Sequence, residues 1–117
     1  MKNLEMINQC QDQIMIFLHN NTGLSYMDLR TYFEDREGNY RRLLESKMGP
    51  YDISVDVDLD EDFVRYSAIL PEDENSRIFV DVSYDSDDEL LHDLKTRDYM
   101  SWMDSAMMHL KEAVCHE

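Results

Sequence analysis

Along the start of the chain the apolar positions Leu4, Ile7, Cys10, Ile14, Phe17 and Leu18 recur three and four apart. That spacing predicts an amphipathic helix over 4–18, with the neutral amides Asn8, Gln9, Gln11 and Gln13 on its wet face. His19-Asn20-Asn21-Thr22-Gly23 supplies the turn and cap residues that end it. Ser25 followed by Asp28 has the form of a capping box and opens a second helix carrying Leu29, Tyr32 and Phe33. Glu37-Gly38-Asn39 interrupts it. Tyr40, Leu43, Leu44 and Met48 then keep a helical spacing up to Gly49-Pro50.

After Pro50 the period drops to two. Ile53, Val55, Val57 and Leu59 alternate with Asp52, Ser54, Asp56, Asp58 and Asp60, the pattern of a half-buried strand. Asp60-Glu61-Asp62 reads as a turn, and Phe63 to Leu70 as the returning strand with Val64, Tyr66, Ala68 and Leu70 facing in. Pro71 to Ser76 reads as a loop. A third strand follows, in which Ile78, Val80, Val82 and Tyr84 alternate with Phe79, Asp81, Ser83 and Asp85. Ser86 with Glu89 is a second capping box, opening a short helix through Leu94. A last helix over about 97–114 buries Tyr99, Trp102, Met103, Ala106, Leu110 and Ala113. The pattern predicts an α+β fold in a single domain, 1–117: N-terminal helices, a three-stranded antiparallel β-meander, and C-terminal helices packed on one sheet face.

Composition changes the picture in one respect. The chain has 117 residues, 43% of them hydrophobic, enough for one real core. Its 26 acidic residues against 11 basic ones leave a net charge of −15. A surface of that sign repels nucleic acid and anionic membranes alike, so direct binding of either is not expected. The apolar run Ile14 to Leu18 is too short for a signal-peptide core or a membrane span. Cys10 and Cys115 form no CxxC pair and read as reduced thiols of a cytoplasmic protein.

The charge is uneven. Residues 1–50 hold seven acids and six bases, and residues 95–117 hold four and three. Residues 51–94 hold fifteen acids and only Arg65 and Arg77 as bases, a net of −13. Alternate strand residues point the same way, roughly 6.6–6.8 Å apart. Asp52, Asp56, Asp58 and Asp60 are therefore expected as a row of carboxylates on the solvent face, with Asp81 and Asp85 beside them. Glu61, Asp62, Asp87 and Asp88 extend the charge, and Phe79 would stand among it as an apolar anchor. Part of the excess has ordinary causes, since acids favour a helix N-terminus and charge blunts edge strands.

Other chemistry is weakly represented. Asp56-Val57-Asp58-Leu59-Asp60 begins like a calcium loop, but Glu61 replaces the required glycine and Ser67 stands where the closing glutamate belongs. His19, His92, His109 and His116 form no metal-binding spacing. There is no GxSxG elbow, and three glycines cannot build a phosphate-cradling loop. No catalytic residue, metal or cofactor is expected. The order of helices and strands allows a winged helix with Arg41, Arg42 and Lys47 on a recognition helix, but its wing, 58–62, would repel phosphates.

In size, net charge and its carboxylate-bearing span 51–94, the chain resembles the small acidic DNA-mimic proteins. The resemblance implies a non-enzymatic inhibitor that occupies the nucleic-acid site of a basic partner such as a histone-like, restriction, CRISPR or repair protein. Asp52, Asp56, Asp58, Asp60, Glu61, Asp62, Phe79, Asp81, Asp85, Asp87 and Asp88 are the expected contact residues. The alternative is an immunity protein, antitoxin or secretion chaperone that binds one basic toxin or effector.

Overall fold

The computed structural model describes residues 4–35 and 38–115, with the side chains of 74, 114 and 115 outside that description. Glu37, the side chain of Cys115 and His116 therefore lie outside the described residues, while Cys10 is a buried thiol. The elements run α1 (Leu4–Thr22), α2 (Tyr26–Glu34), β1 (Tyr40–Met48), β2 (Tyr51–Asp58), β3 (Phe63–Leu70), β4 (Asp73–Ser83), α3 (Asp87–Thr96) and α4 (Tyr99–Cys115). The strands form one antiparallel sheet in the order β1-β2-β3-β4. The α+β class stands, with helices before and after the sheet. No helix among the described residues is long and apolar enough to cross a membrane.

The sheet has four strands rather than three, because 40–48 is a strand and not a helix. A β-bulge explains the misreading. Register shifts between Arg42 and Leu44, so Leu43 and Leu44 are both buried in succession. Inward positions are Arg41 and Leu43 before the bulge and Leu44, Ser46 and Met48 after it, the last two half-buried. One extra residue thus turns a period of two into an apparent helical spacing. Arg41 hides the pattern further, as a cation at a core position, 4% exposed. Its guanidinium donates to Gln11 Oε1 at 3.1 and 3.2 Å and to the Tyr40 carbonyl at 3.0 Å, and lies over the Phe33 ring. Gln11, read as a solvated amide, is the partner that permits this burial.

Gly49-Pro50 is not a helix stop but the two-residue turn of the β1–β2 hairpin, closed by the pair Met48 and Tyr51. Gly49 has φ 59°, the positive value that a II′ turn requires at its first central position. The expected loop 71–76 is also mostly strand, since β4 begins at Asp73. Polar residues on an outer edge strand carry no apolar alternation to betray it.

One face of the sheet is covered. Ile53, Val55, Val57, Val64, Tyr66 and Ala68 are buried against Ile14 and Phe17 of α1, Leu90 and Leu94 of α3, and Trp102, Ala106 and Leu110 of α4. Both expected serine N-caps form, the serine half of each capping box: Ser25 Oγ accepts from the Asp28 N–H at 3.1 Å and Ser86 Oγ from the Glu89 N–H at 3.3 Å, while the Glu89 carboxylate turns to the Asp85 N–H instead of that of Ser86. A polar stitch joins the helices to the end of β4. The Tyr84 hydroxyl donates to Asp93 at 2.6 Å, and Arg97 donates to Ser101 Oγ at 2.8 Å while covering the Trp102 ring. Burial and the Asp93 hydrogen bond push the Tyr84 phenol up from its ordinary range.

Replacing Gly49 by alanine forces a Cβ into a left-handed turn position. Urea unfolding of Gly49→Ala should show a loss of about 1–2 kcal/mol. An unchanged midpoint would contradict the turn geometry.

Candidate functional site

Most of the acidic span falls into two regions with different electrostatics, with Glu72 and Asp73 apart from both at the β3–β4 turn, on the opposite end of the sheet. The first is the outer sheet face, which no helix covers. Strand alternation places Asp52, Ser54, Asp56 and Asp58 of β2 on it, as expected. The register, however, lays Arg42, Asp56, Arg65 and Asp81 side by side on one rung, one residue from each strand and alternating in sign. Arg42 Nε donates to Asp56 at 2.9 Å, and Arg65 binds both Asp81 oxygens at 2.7 and 2.9 Å. Lys47 lies 3.5 Å from Asp52 two outward rungs along, beyond the rung of Glu45 and Ser54, and Arg42 also contacts Glu45.

The continuous carboxylate row on this face is therefore corrected. Asp56 is 1% exposed beneath its partners and unavailable to a docking molecule. Asp81 is held below the usual carboxylate range by the Arg65 hydrogen bonds. The Tyr40 phenol is pushed up by burial and by the adjacent Asp56 charge. Phe79 is on the outer face, 53% exposed, with the Arg65 guanidinium 4.6 Å from its ring centre. It stands beside a cation–carboxylate pair rather than in a field of acids.

The second region is one end of the sheet. The β2–β3 turn and the β4–α3 connection meet there: the Tyr84 N–H donates to the Asp62 carbonyl at 2.8 Å, and Phe63 pairs with Ser83. Eight carboxylates come together at this end, those of Asp58, Asp60, Glu61, Asp62, Asp85, Asp87, Asp88 and Glu89. Residues 58–64 and 78–94 contain no lysine or arginine. Glu89 was read only as part of a capping box, and it belongs to this cluster by position.

Backbone chemistry fixes the cluster. Asp58 Oδ1 accepts from the N–H groups of Asp60 and Glu61, both at 2.9 Å, the Asx arrangement that tightens a turn. Asn39 Nδ2 donates to Asp60 at 2.9 Å and its carbonyl accepts from the Leu59 N–H at 2.8 Å. Asp62 closes the turn with φ 54°, a left-handed position that aspartate tolerates better than most side chains. At α3 the carboxylates of Asp87, Asp88 and Glu89 occupy the first turn, where the helix dipole favours them, and Glu89 accepts from the Asp85 N–H at 3.3 Å. Among the described residues no group of three or more histidine, cysteine, aspartate or glutamate side chains is placed to hold a metal ion. The carboxylates present separate charges to solvent instead of converging on a point.

Of the expected contact residues, Asp58, Asp60, Glu61, Asp62, Asp85, Asp87 and Asp88 share the acidic end. Asp52, Asp56, Phe79 and Asp81 lie on the outer face, where bases balance them.

Two measurements check this electrostatic division. Arg42→Met strands the buried Asp56 carboxylate and should cost about 3 kcal/mol, whereas Asp56→Asn leaves a half-exposed Arg42 free to turn to water and should cost about half as much. The reverse order in urea unfolding would show that Asp56 does not depend on Arg42. The depressed Asp81 pKa contributes stability above the unfolded carboxylate value of about 3.9, and that contribution fades as pH falls through the lower folded value. The Tm gap between the native chain and Asp81→Asn should accordingly hold from pH 7 to about 5 and close below about 4. A pH-independent gap would contradict the pairing. No family model, no curated protein and no solved structure matches this chain.

Proposed function

We propose that this chain is a non-enzymatic binding protein that presents its acidic end to a basic nucleic-acid-binding protein and excludes nucleic acid from the site it occupies. The observation that carries this reading is the gathering of eight carboxylates at one end of the sheet, with no lysine or arginine in the segments that bear them. Like charges held close repel and strain the compact state, a cost that solubility alone does not require at net −15. Their positions are set by turn hydrogen bonds and a helix start, so a partner meets them already ordered. A cationic groove built for phosphates, spaced one charge per about 1.7 Å of duplex, would be drawn to such a surface. Long-range attraction would chiefly raise the association rate, with shape deciding the partner.

A second reading, an immunity protein, antitoxin or secretion chaperone, is favoured by the exposed apolar residues Leu24, in the α1–α2 connection, and Tyr32 on α2. Competition separates the two. A mimic competes with duplex DNA for its partner, whereas a chaperone or immunity protein binds with DNA present.

The test uses a histone-like DNA-binding protein as cationic probe. Binding should weaken steeply as salt rises from about 50 to 200 mM, and duplex DNA should compete. The variant Asp60→Lys, Glu61→Lys, Asp88→Lys should lose binding while keeping its thermal transition. Affinity that is flat with salt, or unchanged in that variant, would overturn the proposal.

A further inference from the structure

We infer that the groove between the α1–α2 hairpin and the edge strand β1 is a docking site for an amphipathic, cationic helix of the protein partner. This rests on the reading of the chain as a binder of basic protein and adds a second contact surface, the one that would supply specificity. The groove encloses about 720 Å³. Its walls are apolar, with Phe17 and Leu18 from α1, Leu24, Leu29 and Tyr32 from the α2 segment, and Leu44 from β1. Leu24 and Tyr32 are 48% and 43% exposed, so the walls open to solvent rather than closing into the core. Apolar surface of this kind marks a contact site, and the acidic end two residues along β1 favours an occupant that is also basic.

The charges at the groove agree. Among the described residues, Asp28 and Glu45 line it together with a single base, Arg42, and that base is already engaged by Asp56 and Glu45. An incoming lysine or arginine therefore meets Asp28 while the base of the described lining is held by its own carboxylates. The occupant is a helix rather than an added strand for a backbone reason. Regular pairing along β1 is broken by the bulge between Arg42 and Leu44, which interrupts the run of outward N–H and C=O groups that a new strand needs. A helix needs no such run and lays apolar side chains into a groove at i, i+3, i+4 and i+7. The groove segment of β1 begins two residues from the acidic end, roughly 7 Å along the strand, so one partner can cover both surfaces.

The probes are two synthetic peptides of about 18 residues with the same lysines, one an amphipathic leucine–lysine helix and the other with serine in place of leucine. The leucine peptide should bind the full chain at least about tenfold more tightly. Tyr32→Lys and Asp28→Lys, both at exposed positions of α2 and verified by thermal melts, should each erase most of that advantage. Glu61→Lys with Asp88→Lys should weaken both peptides alike and leave their ratio intact. Equal binding of the two peptides, or a ratio untouched by Tyr32→Lys and Asp28→Lys, would overturn the groove assignment. The acidic-end reading fails by a different result, when Glu61→Lys with Asp88→Lys changes neither affinity.

Discussion

The sheet register decides how this molecule carries its charge. Because Arg42, Asp56, Arg65 and Asp81 fall on one rung, two of the sheet's arginines meet its acids on the uncovered face. A slip of one residue on any strand would turn these groups into the apolar layer and bring valines to water. Burial of Val55, Val57, Val64 and Tyr66 therefore enforces the ion pairs, and through them the near neutrality of the outer face. Most of what remains unbalanced gathers at one end, where turn and helix-start geometry hold it, while Glu72 and Asp73 sit at the β3–β4 turn on the other.

That division reconciles a net charge of −15 with a packed core. The Asp58 carboxylate accepts two backbone N–H groups of the β2–β3 turn, Asp60 accepts from the Asn39 amide, and the carboxylates at the start of α3 lie at the positive end of a helix dipole. These are locally favourable, although the group repels itself as a whole. Local stabilisation and long-range repulsion thus coexist in the same residues. The second is the term that a cationic partner relieves on binding.

Much of the architecture was legible in the pattern of residues. Both serine N-caps, the β2–β3 hairpin with its turn at Asp60-Glu61-Asp62, and the buried stripe of Trp102, Ala106 and Leu110 read directly from spacing. The first strand did not, because a bulge at Leu43 and a buried arginine gave it a helical rhythm, and Gln11, the group that satisfies Arg41, lies thirty residues away. The same miss hid the charge ladder. With 40–48 taken as a helix, Arg42 had no strand position from which to neutralise Asp56, so the alternating aspartates of β2 looked like an open row. Alternation correctly assigned their face, but it carries no information about what lies opposite.

The central claim is that the negative field issues from the end of the sheet and not from its face. Paramagnetic relaxation of backbone amides by a cationic nitroxide, taken as a ratio to that by a neutral one, reads the local potential most directly. The ratio should rise at the amides of 60–62 and 86–89 and stay near one at Ser54, Asp56, Arg65, Ser67 and Phe79. A comparable rise across the outer face would contradict the account.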